Sequence, residues 1–358
     1  MDINRVLIVD DEPMQRRLVS EVLNYSDDVF EIHEASNGVE AIDFIKAHEV
    51  DVILLDKRMP EMDGDEVCQK IRHDLNMPLI PIIMVTGNTE SIELAKSLDA
   101  GANEFVRKPY SPVELVARVK GAIRNKRQTD QLDNAENLLF TLARMVEAKD
   151  ETTGDHCSRL SHMSVVYGKA LGLSERELTA LRRGGVLHDI GKLGIPDSIL
   201  LKNGPLNDAE WEIMRQHTII GGHICSSLTS MKDVVQIIMS HHERYDGTGY
   251  PYGLKGKEIP LLARVFQTVD IYDALASDRP YKKAFDQEKI IAIFEEETEK
   301  GWRDPELTAT FLKILRETPE QLVLQKGIEP TVDQILYEEI ATTGVIDWMQ
   351  NMKMGNQA

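Results

Sequence analysis

His188 and Asp189 stand side by side in GGVLHDIGKLGIPD, flanked by Val186, Leu187 and Ile190. An imidazole next to a carboxylate suits a transition-metal site, because both are good ligands for Zn, Fe or Mn. Alone, such a pair in an apolar helix is more often a hydrogen-bonded core contact than a ligand pair. It has company, however: His156 in ETTGDHCSRL, His217 in MRQHTIIGGH, His241 and His242 in MSHHERYDGTGYP, and Asp270 in FQTVDIYDAL. All five of these histidines fall within one stretch, and the chain has only ten in all. Five His and two Asp make two adjacent sites, with His156, His188 and Asp270 on one metal and His217, His241 and His242 on the other. Asp189 would bridge them, since a carboxylate offers two oxygens and an imidazole cannot bridge without losing its second proton. Two metals about 3.5–4 Å apart stabilise both the attacking and the leaving oxygen of a phosphoryl displacement. The donors are all N and O, which favours Fe, with Mn or another divalent ion also suited. His223 and Cys157 would point away from this cluster on a helix and read as structural.

A second set of chemical groups lies near the N-terminus. Asp10 and Asp11 end one short apolar run, Asp56 a second, Thr86 a third, and Lys108 with Pro109 a fourth. Three carboxylates meeting at one edge repel unless a divalent cation, Mg²⁺ above all, sits among them. A hydroxyl and an ammonium beside them complete a site for a phosphoryl group.

These residues need two different scaffolds. In residues 1–122, the runs Val6–Val9, Glu31–Ala35, Val52–Leu55, Ile80–Val85 and Glu104–Val106 alternate with amphipathic stretches near 14–24, 38–47, 64–74 and 89–99, and a fifth from Pro112. That alternation specifies an α/β doubly wound parallel sheet, whose sites lie at the C-terminal strand ends. From about 145 to 320 the chain reads as helical, with capping boxes at Ser174–Glu177 and Asn207–Glu210, so an all-α bundle is expected, a natural cage for inward-facing ligands. Between them, residues 123–144 read as a helical linker. Leu132, Ala135, Leu139, Leu142 and Val146 repeat at 3-4-3-4 spacing there, which fits either a dimer seam or the first core helix of the next domain. Residues 321–358 form a helical extension with patterns at Thr331–Ile340 and Val345–Met352. From HHERYDGTGYP onward, four breakers in seven residues (Gly247, Gly249, Pro251 and Gly253) force a loop that could present Tyr250 and Tyr252 or serve as a plain connector.

Composition closes off several classes. The chain has 358 residues, 42% hydrophobic and 28% charged, and a net charge of −19. No apolar run approaches the ~18 residues a membrane span needs. The start, MDINRVLIVDDE, lacks a signal-peptide layout, and three scattered cysteines do not make a disulfide framework; a cytoplasmic location follows. The acidic balance and the lack of a basic recognition helix argue against DNA binding.

The motifs VDDE (9–12), LLDKRMPEMDG (54–64), VTG (85–87) and KP (108–109) resemble the response-regulator receiver family. The resemblance implies a flavodoxin-like sheet of strand order 2-1-3-4-5, with Asp56 as phosphoacceptor from a cognate histidine kinase. It further implies Mg²⁺ on Asp11, Asp56 and the Arg58 carbonyl with Asp10 in support, Thr86 and Lys108 on the phosphoryl oxygens, and Phe105 as the aromatic that follows the state. The stretches LHDIGKLGIPDSIL (187–200), HHERYDGTGYP (241–251) and LLARVFQTVDIYDALASDRPYK (261–282) resemble the HD-GYP phosphodiesterases, a branch of the HD metal phosphohydrolases. This implies cyclic di-GMP as substrate, opened to pGpG, with GMP as the onward product of a second hydrolysis, and the seven residues above on the family's metal positions. Asp189 and Lys192 would be catalytic. Lys192, four residues after His188 and so on one helical face, would meet the scissile phosphate; Arg279, Lys282 and Tyr250 would also contact the nucleotide. Some relatives hold a third metal through a Glu four residues before the first His. Here that position is Thr152, and Glu151 lies one residue off, so two metals and a pGpG product are expected. No residue stands out as the general acid.

Two alternatives accompany this reading. A retired site would leave a cyclic di-GMP receptor or adaptor, using the GYP loop to meet a partner such as a GGDEF-type protein; the complete ligand set speaks against it. An HD hydrolase of another cyclic dinucleotide fits the same motifs. A homodimer would suit the helical seam.

Overall fold

The structure, a computed structural model, describes residues 3–26, 28–75, 77–87, 91–149, 156–278 and 283–324. Arg279 and Lys282, the Glu151–Thr152 pair, and the expected helices of the C-terminal extension all lie outside the described residues. The chain divides into two units, Met1–Asn134 and Ala135–Ala358.

The first unit is the expected alternation: β1 (Asn4–Val9), α1 (Pro13–Asn24), β2 (Phe30–Ala35), α2 (Gly38–Ala47), β3 (Val52–Asp56), α3 (Gly64–Gln69), β4 (Ile82–Thr86), α4 (Ser91–Asp99) and β5 (Glu104–Arg107). All strand pairs are parallel, in the order β2-β1-β3-β4-β5. Alternate residues feed opposite faces of the sheet. Leu7, Val9, Ile53, Leu55, Ile82 and Met84 pack towards α2 and α3, while Val6, Ile8, Leu54, Ile83 and Val85 pack towards α1. Burial on both faces is why β3 and β4 read as unbroken apolar runs rather than alternating ones. β4 starts at Ile82 rather than Ile80, because Pro81 has no N–H to give the ladder. The helical stretch expected over 64–74 becomes α3 followed by a π-helical turn, Lys70–Asp74.

α5 runs unbroken from Pro112 to Lys149, 38 residues. No separate linker element occupies 123–144. Ala122 and Ile123 belong to the core of the first unit, whereas Leu139 and Ala143 belong to that of the second. Leu132, at the head of the heptad-like stripe, is 53% exposed, so only part of that stripe is buried.

The described part of the second unit is helical throughout: α6 (His156–Ala170), α7 (Glu175–Leu187), α8 (Asp197–Leu200), α9 (Asp208–Arg215), α10 (His217–Cys225), α11 (Lys232–Ser240), α12 (Leu261–Ala276), α13 (Gln287–Glu299) and α14 (Pro305–Glu317). Both expected capping boxes form, Ser174 with Glu177 and Asn207 with Glu210. One core built on Leu160, Leu181, Ile237, Phe266 and Phe311 fixes α6, α7, α11, α12 and α14 together. Among the described residues no helix is long and apolar enough to cross a membrane.

Candidate metal centre and phosphoacceptor site

The ligand candidates sit mostly where helices start and stop. His156 opens α6 and His217 opens α10. His188 caps α7, and His241 caps α11 with His242 just beyond. Asp270 lies inside α12. Asp189 leaves the helical conformation (φ −103°, ψ 7°) and starts a 3₁₀ turn, Ile190–Gly194. That turn presses on the start of α10: a Cβ on Gly191 would fall 1.8 Å from the carbonyl oxygen of His217, so only glycine lets the two backbones meet.

The structure brings all seven side chains together in two groups, Asp189, His217, His241 and His242 in one, and His156, His188 and Asp270 in the other. Within each group the donor atoms lie within 4.8 Å of one another. Asp189 faces both. Its Oδ1 is 3.4 Å from Nε2 of His217, and its Oδ2 is 3.3 Å from Nε2 of His188.

The hydrogen bonding fits a cation. His217 donates through Nδ1 to the Met214 carbonyl (2.7 Å), and His241 through Nδ1 to the Ile238 carbonyl (2.9 Å). Each ring is thereby held as the tautomer whose Nε2 carries the lone pair. Those two Nε2 atoms, and Nδ1 of His188, are buried without a hydrogen-bond partner among the described residues. Three orphaned imidazole nitrogens in one cluster are costly unless something else coordinates them. Burial, reinforced by neighbouring imidazoles, pushes His241 well below its ordinary pKa and His242 down to about 3. Burial likewise lowers His217. These rings are neutral at pH 7, the form that ligates metal. Burial alone would raise Asp189, but Lys192 and His188 outweigh it and hold the carboxyl well below the usual range.

Lys192 is not on a helical face with His188, because the α-helix stops at Leu187. The 3₁₀ turn instead carries its ammonium to 2.9 Å from Oδ2 of Asp189. His223 is exposed, and Cys157 is buried, with its thiol directed to the Val186 carbonyl at 3.7 Å.

The GYP segment is an ordered loop. Glu243 is fully buried and its carboxylate accepts from the backbone N–H of Tyr252 (2.7 Å) and of Leu254 (3.0 Å). Gly249 is packed so closely that a Cβ would sit 2.2 Å from the Arg244 nitrogen. The loop delivers Tyr250 to a ring distance of 4.8 Å from His242, with the Arg215 guanidinium 5.4 Å from its ring. Tyr250, His241, His242 and Asp270 line one cavity of about 560 Å³, within the usual size range for small-molecule sites. Tyr252, by contrast, is 55% exposed.

Several residues here were not singled out by sequence. Asp273 accepts from Nδ1 of His156 (2.7 Å) and pairs with Arg159 (2.6 Å). Its position three residues after Asp270 on one helix was the available signal. Gln267 donates to the His241 carbonyl (3.0 Å). Glu243, in HHER, carries no sequence signal of its burial.

In the first unit, Asp10 and Asp56 are buried at the strand ends, with Lys108 Nζ 2.8 Å from Asp10 Oδ2 and 2.6 Å from Asp56 Oδ1. The Arg58 N–H donates to Asp56 Oδ2 at 2.8 Å. Burial raises the Asp56 pKa, and Lys108 offsets part of that rise. Asp11 is exposed beside them, Thr86 is buried at the end of β4, and Phe105 is half-buried with the Arg107 guanidinium 5.7 Å from its ring. Lys57, also unremarked in sequence, is buried and donates to the Glu93 carbonyl (2.7 Å) and to Ser97 (3.0 Å), tying the residue after Asp56 to α4.

Family models match both units: a response regulator receiver domain over residues 6–120 and an HD domain over 141–307. The chain is 34% identical over 310 residues, 80% of its length and 82% of the relative's, to the cyclic di-GMP phosphodiesterase response regulator RpfG of Xanthomonas campestris pv. campestris. It is 34% identical over 340 residues, 87% of its length and 90% of the relative's, to a cyclic di-GMP phosphodiesterase of Thermotoga maritima. Over 192 residues, 53% of this chain and 42% of the relative, it is 38% identical to 3′3′-cGAMP-specific phosphodiesterase 3 of Vibrio cholerae. With both domains matched in order and two relatives covered over 82% and 90% of their length, the chain belongs to the response regulators that join a receiver domain to an HD-domain phosphodiesterase.

Proposed function

We propose that the HD domain hydrolyses cyclic di-GMP to pGpG and that phosphorylation of Asp56 by a histidine kinase controls it. The observation that carries this reading is Asp189, which turns one carboxylate oxygen towards each of two N/O ligand groups. His156, His188 and Asp270 would hold one divalent ion and His217, His241 and His242 the other, with Asp189 shared; Fe is favoured for an all-N/O set, with Mn an alternative. Bound there, such a pair supplies an activated water and charge stabilisation for phosphoryl transfer. The chain's own groups do the rest. Lys192, its ammonium beside Asp189 Oδ2, would neutralise charge on a phosphate oxygen entering there. Tyr250, whose hydroxyl burial keeps protonated, closes one wall of the cavity over His242. In the receiver domain, Asp10, Asp11 and the Arg58 carbonyl would hold Mg²⁺ beside Asp56, and Lys108 would move from its present carboxylate contacts to the new phosphoryl oxygens.

The test is a metal-loaded, anaerobically prepared protein incubated with cyclic di-GMP, with metal content measured in parallel. About two metals per chain and accumulating pGpG are expected. Full occupancy with tight binding but no turnover would favour the receptor reading. A second substrate reading, another cyclic dinucleotide, is favoured by the 38% identity to the 3′3′-cGAMP-specific relative. The same assay with 3′3′-cGAMP separates the two by their ratio of kcat/KM.

A further inference from the structure

Arg303 lies between α13 and α14 and is only 7% exposed. Its Nε and Nη2 both lie 2.8 Å from Oε2 of Glu297. That fork locks the guanidinium plane. The third nitrogen, Nη1, is buried and has no hydrogen-bond partner among the described residues. A buried, unpaired donor on a permanently charged group is expensive, and an arginine cannot escape the cost by losing its proton. Arg303 lines the same cavity as His241, Asp270 and Tyr250. Arg244 lines it too, its guanidinium carbon 4.3 Å from the centre of the Trp302 ring. The segment is fixed in place, since the Tyr245 N–H donates to the Trp302 carbonyl at 3.1 Å.

A cyclic dinucleotide brings two phosphodiesters. Only one can be the scissile group at the metal ligands, and the other must be neutralised elsewhere in a chain that is strongly acidic overall. We propose that Arg303 is a substrate-binding residue whose free Nη1 donates to an anionic oxygen of the non-scissile phosphodiester, with Arg244 as the second cation of that subsite. This rests on the cyclic-dinucleotide reading of the site. Sequence gave no sign of it, because WRDP lies in a short loop where an arginine is ordinarily solvated.

The experiment compares two substrates in the metal-loaded full chain. Cyclic di-GMP has the second phosphodiester; bis(p-nitrophenyl) phosphate does not. Arg303→Met should raise KM for cyclic di-GMP by about tenfold to a hundredfold, the range of a lost charge-assisted hydrogen bond. Hydrolysis of bis(p-nitrophenyl) phosphate should stay within about twofold, as should metal content. Equilibrium binding of a fluorescent cyclic di-GMP to chelator-treated protein should weaken in parallel. Glu297→Gln provides the structural control, as it removes the ion pair but keeps the guanidinium. If Arg303 only anchors Glu297, the two variants will weaken both substrates alike, and the proposal falls. It also falls if Arg303→Met leaves KM for cyclic di-GMP unchanged while the wild type turns it over. Should Arg303→Met not fold, Arg303→Lys retains a cation for Glu297 but lacks the fork, and a selective rise in KM for cyclic di-GMP is still required. A wild type inert to both cyclic di-GMP and 3′3′-cGAMP would instead overturn the substrate reading, and this proposal with it.

Discussion

Asp273 Oδ2 lies 2.7 Å from Nδ1 of His156, and the same carboxylate is gripped by Arg159. The contact sets the tautomer of His156 so that Nε2 keeps its lone pair, the arrangement by which an outer carboxylate strengthens an imidazole ligand.

Replacing Asp273 by Asn keeps a hydrogen-bond acceptor for His156 but removes the charge. Metal affinity should fall by about ten- to a hundredfold, read by competition with a chromophoric chelator. The same residue makes a pH prediction. Burial alone would raise its carboxyl, but His156 and Arg159 hold it down at about 2. A depressed carboxylate stabilises the folded state above its unfolded pKa, and that contribution is lost as pH falls from about 4 towards the folded value. Chelator-treated wild-type protein should therefore lose stability more steeply than Asp273→Asn between about pH 4 and pH 2, measured by urea midpoints. Parallel curves for the two proteins would show that Asp273 is not the group responsible.

Asp189→Ala removes the one carboxylate that faces both ligand groups. Metal content and turnover should drop together, with loss from both groups rather than one. Retention of two metals with full activity would refute the shared position of Asp189.

Asp56→Asn should leave metal content and basal turnover of the HD domain unchanged while abolishing any response to acetyl phosphate or beryllofluoride. A variant still shifted by either donor would place the phosphoacceptor elsewhere.

Gly191→Ala forces a methyl carbon onto the His217 carbonyl. The 3₁₀ turn and the start of α10 must separate, carrying Asp189 away from His217, so both Tm and metal content should fall. Gly121→Ala is the matched control: it lies inside α5 with nothing within 4 Å of the added carbon, and should raise stability by about 0.5–1 kcal/mol. If Gly191→Ala bound metal like the wild type, the close approach would not be what sets the site.

The ligand candidates were legible because each is a His or Asp in a short, strongly patterned stretch, in a chain with only ten His in all. The receiver sheet was legible for a related reason: a parallel sheet buried on both faces writes its strands as unbroken apolar runs. What escaped was everything set by burial rather than residue type. Lys192 was assigned by helical periodicity, yet the α-helix ends at Leu187 and its ammonium reaches Asp189 from a tighter turn. Glu243 and Arg303 are ordinary charges in ordinary loops until tertiary packing encloses them. The linker drawn at 123–144 falls inside α5, because a helix that serves two cores carries no breaker between them.

Glu243 has a thermodynamic corollary. Because an internal carboxylate holds the backbone of Tyr252 and Leu254, the chain itself orders the loop bearing Tyr250. A nucleotide arriving in the cavity then gives up little chain entropy, and its affinity is spent on contacts rather than on folding the wall it touches. Calorimetry on Glu243→Gln should show the debt returning as a more unfavourable binding entropy, with the association rate slowed by a loop that must now be caught in its working shape.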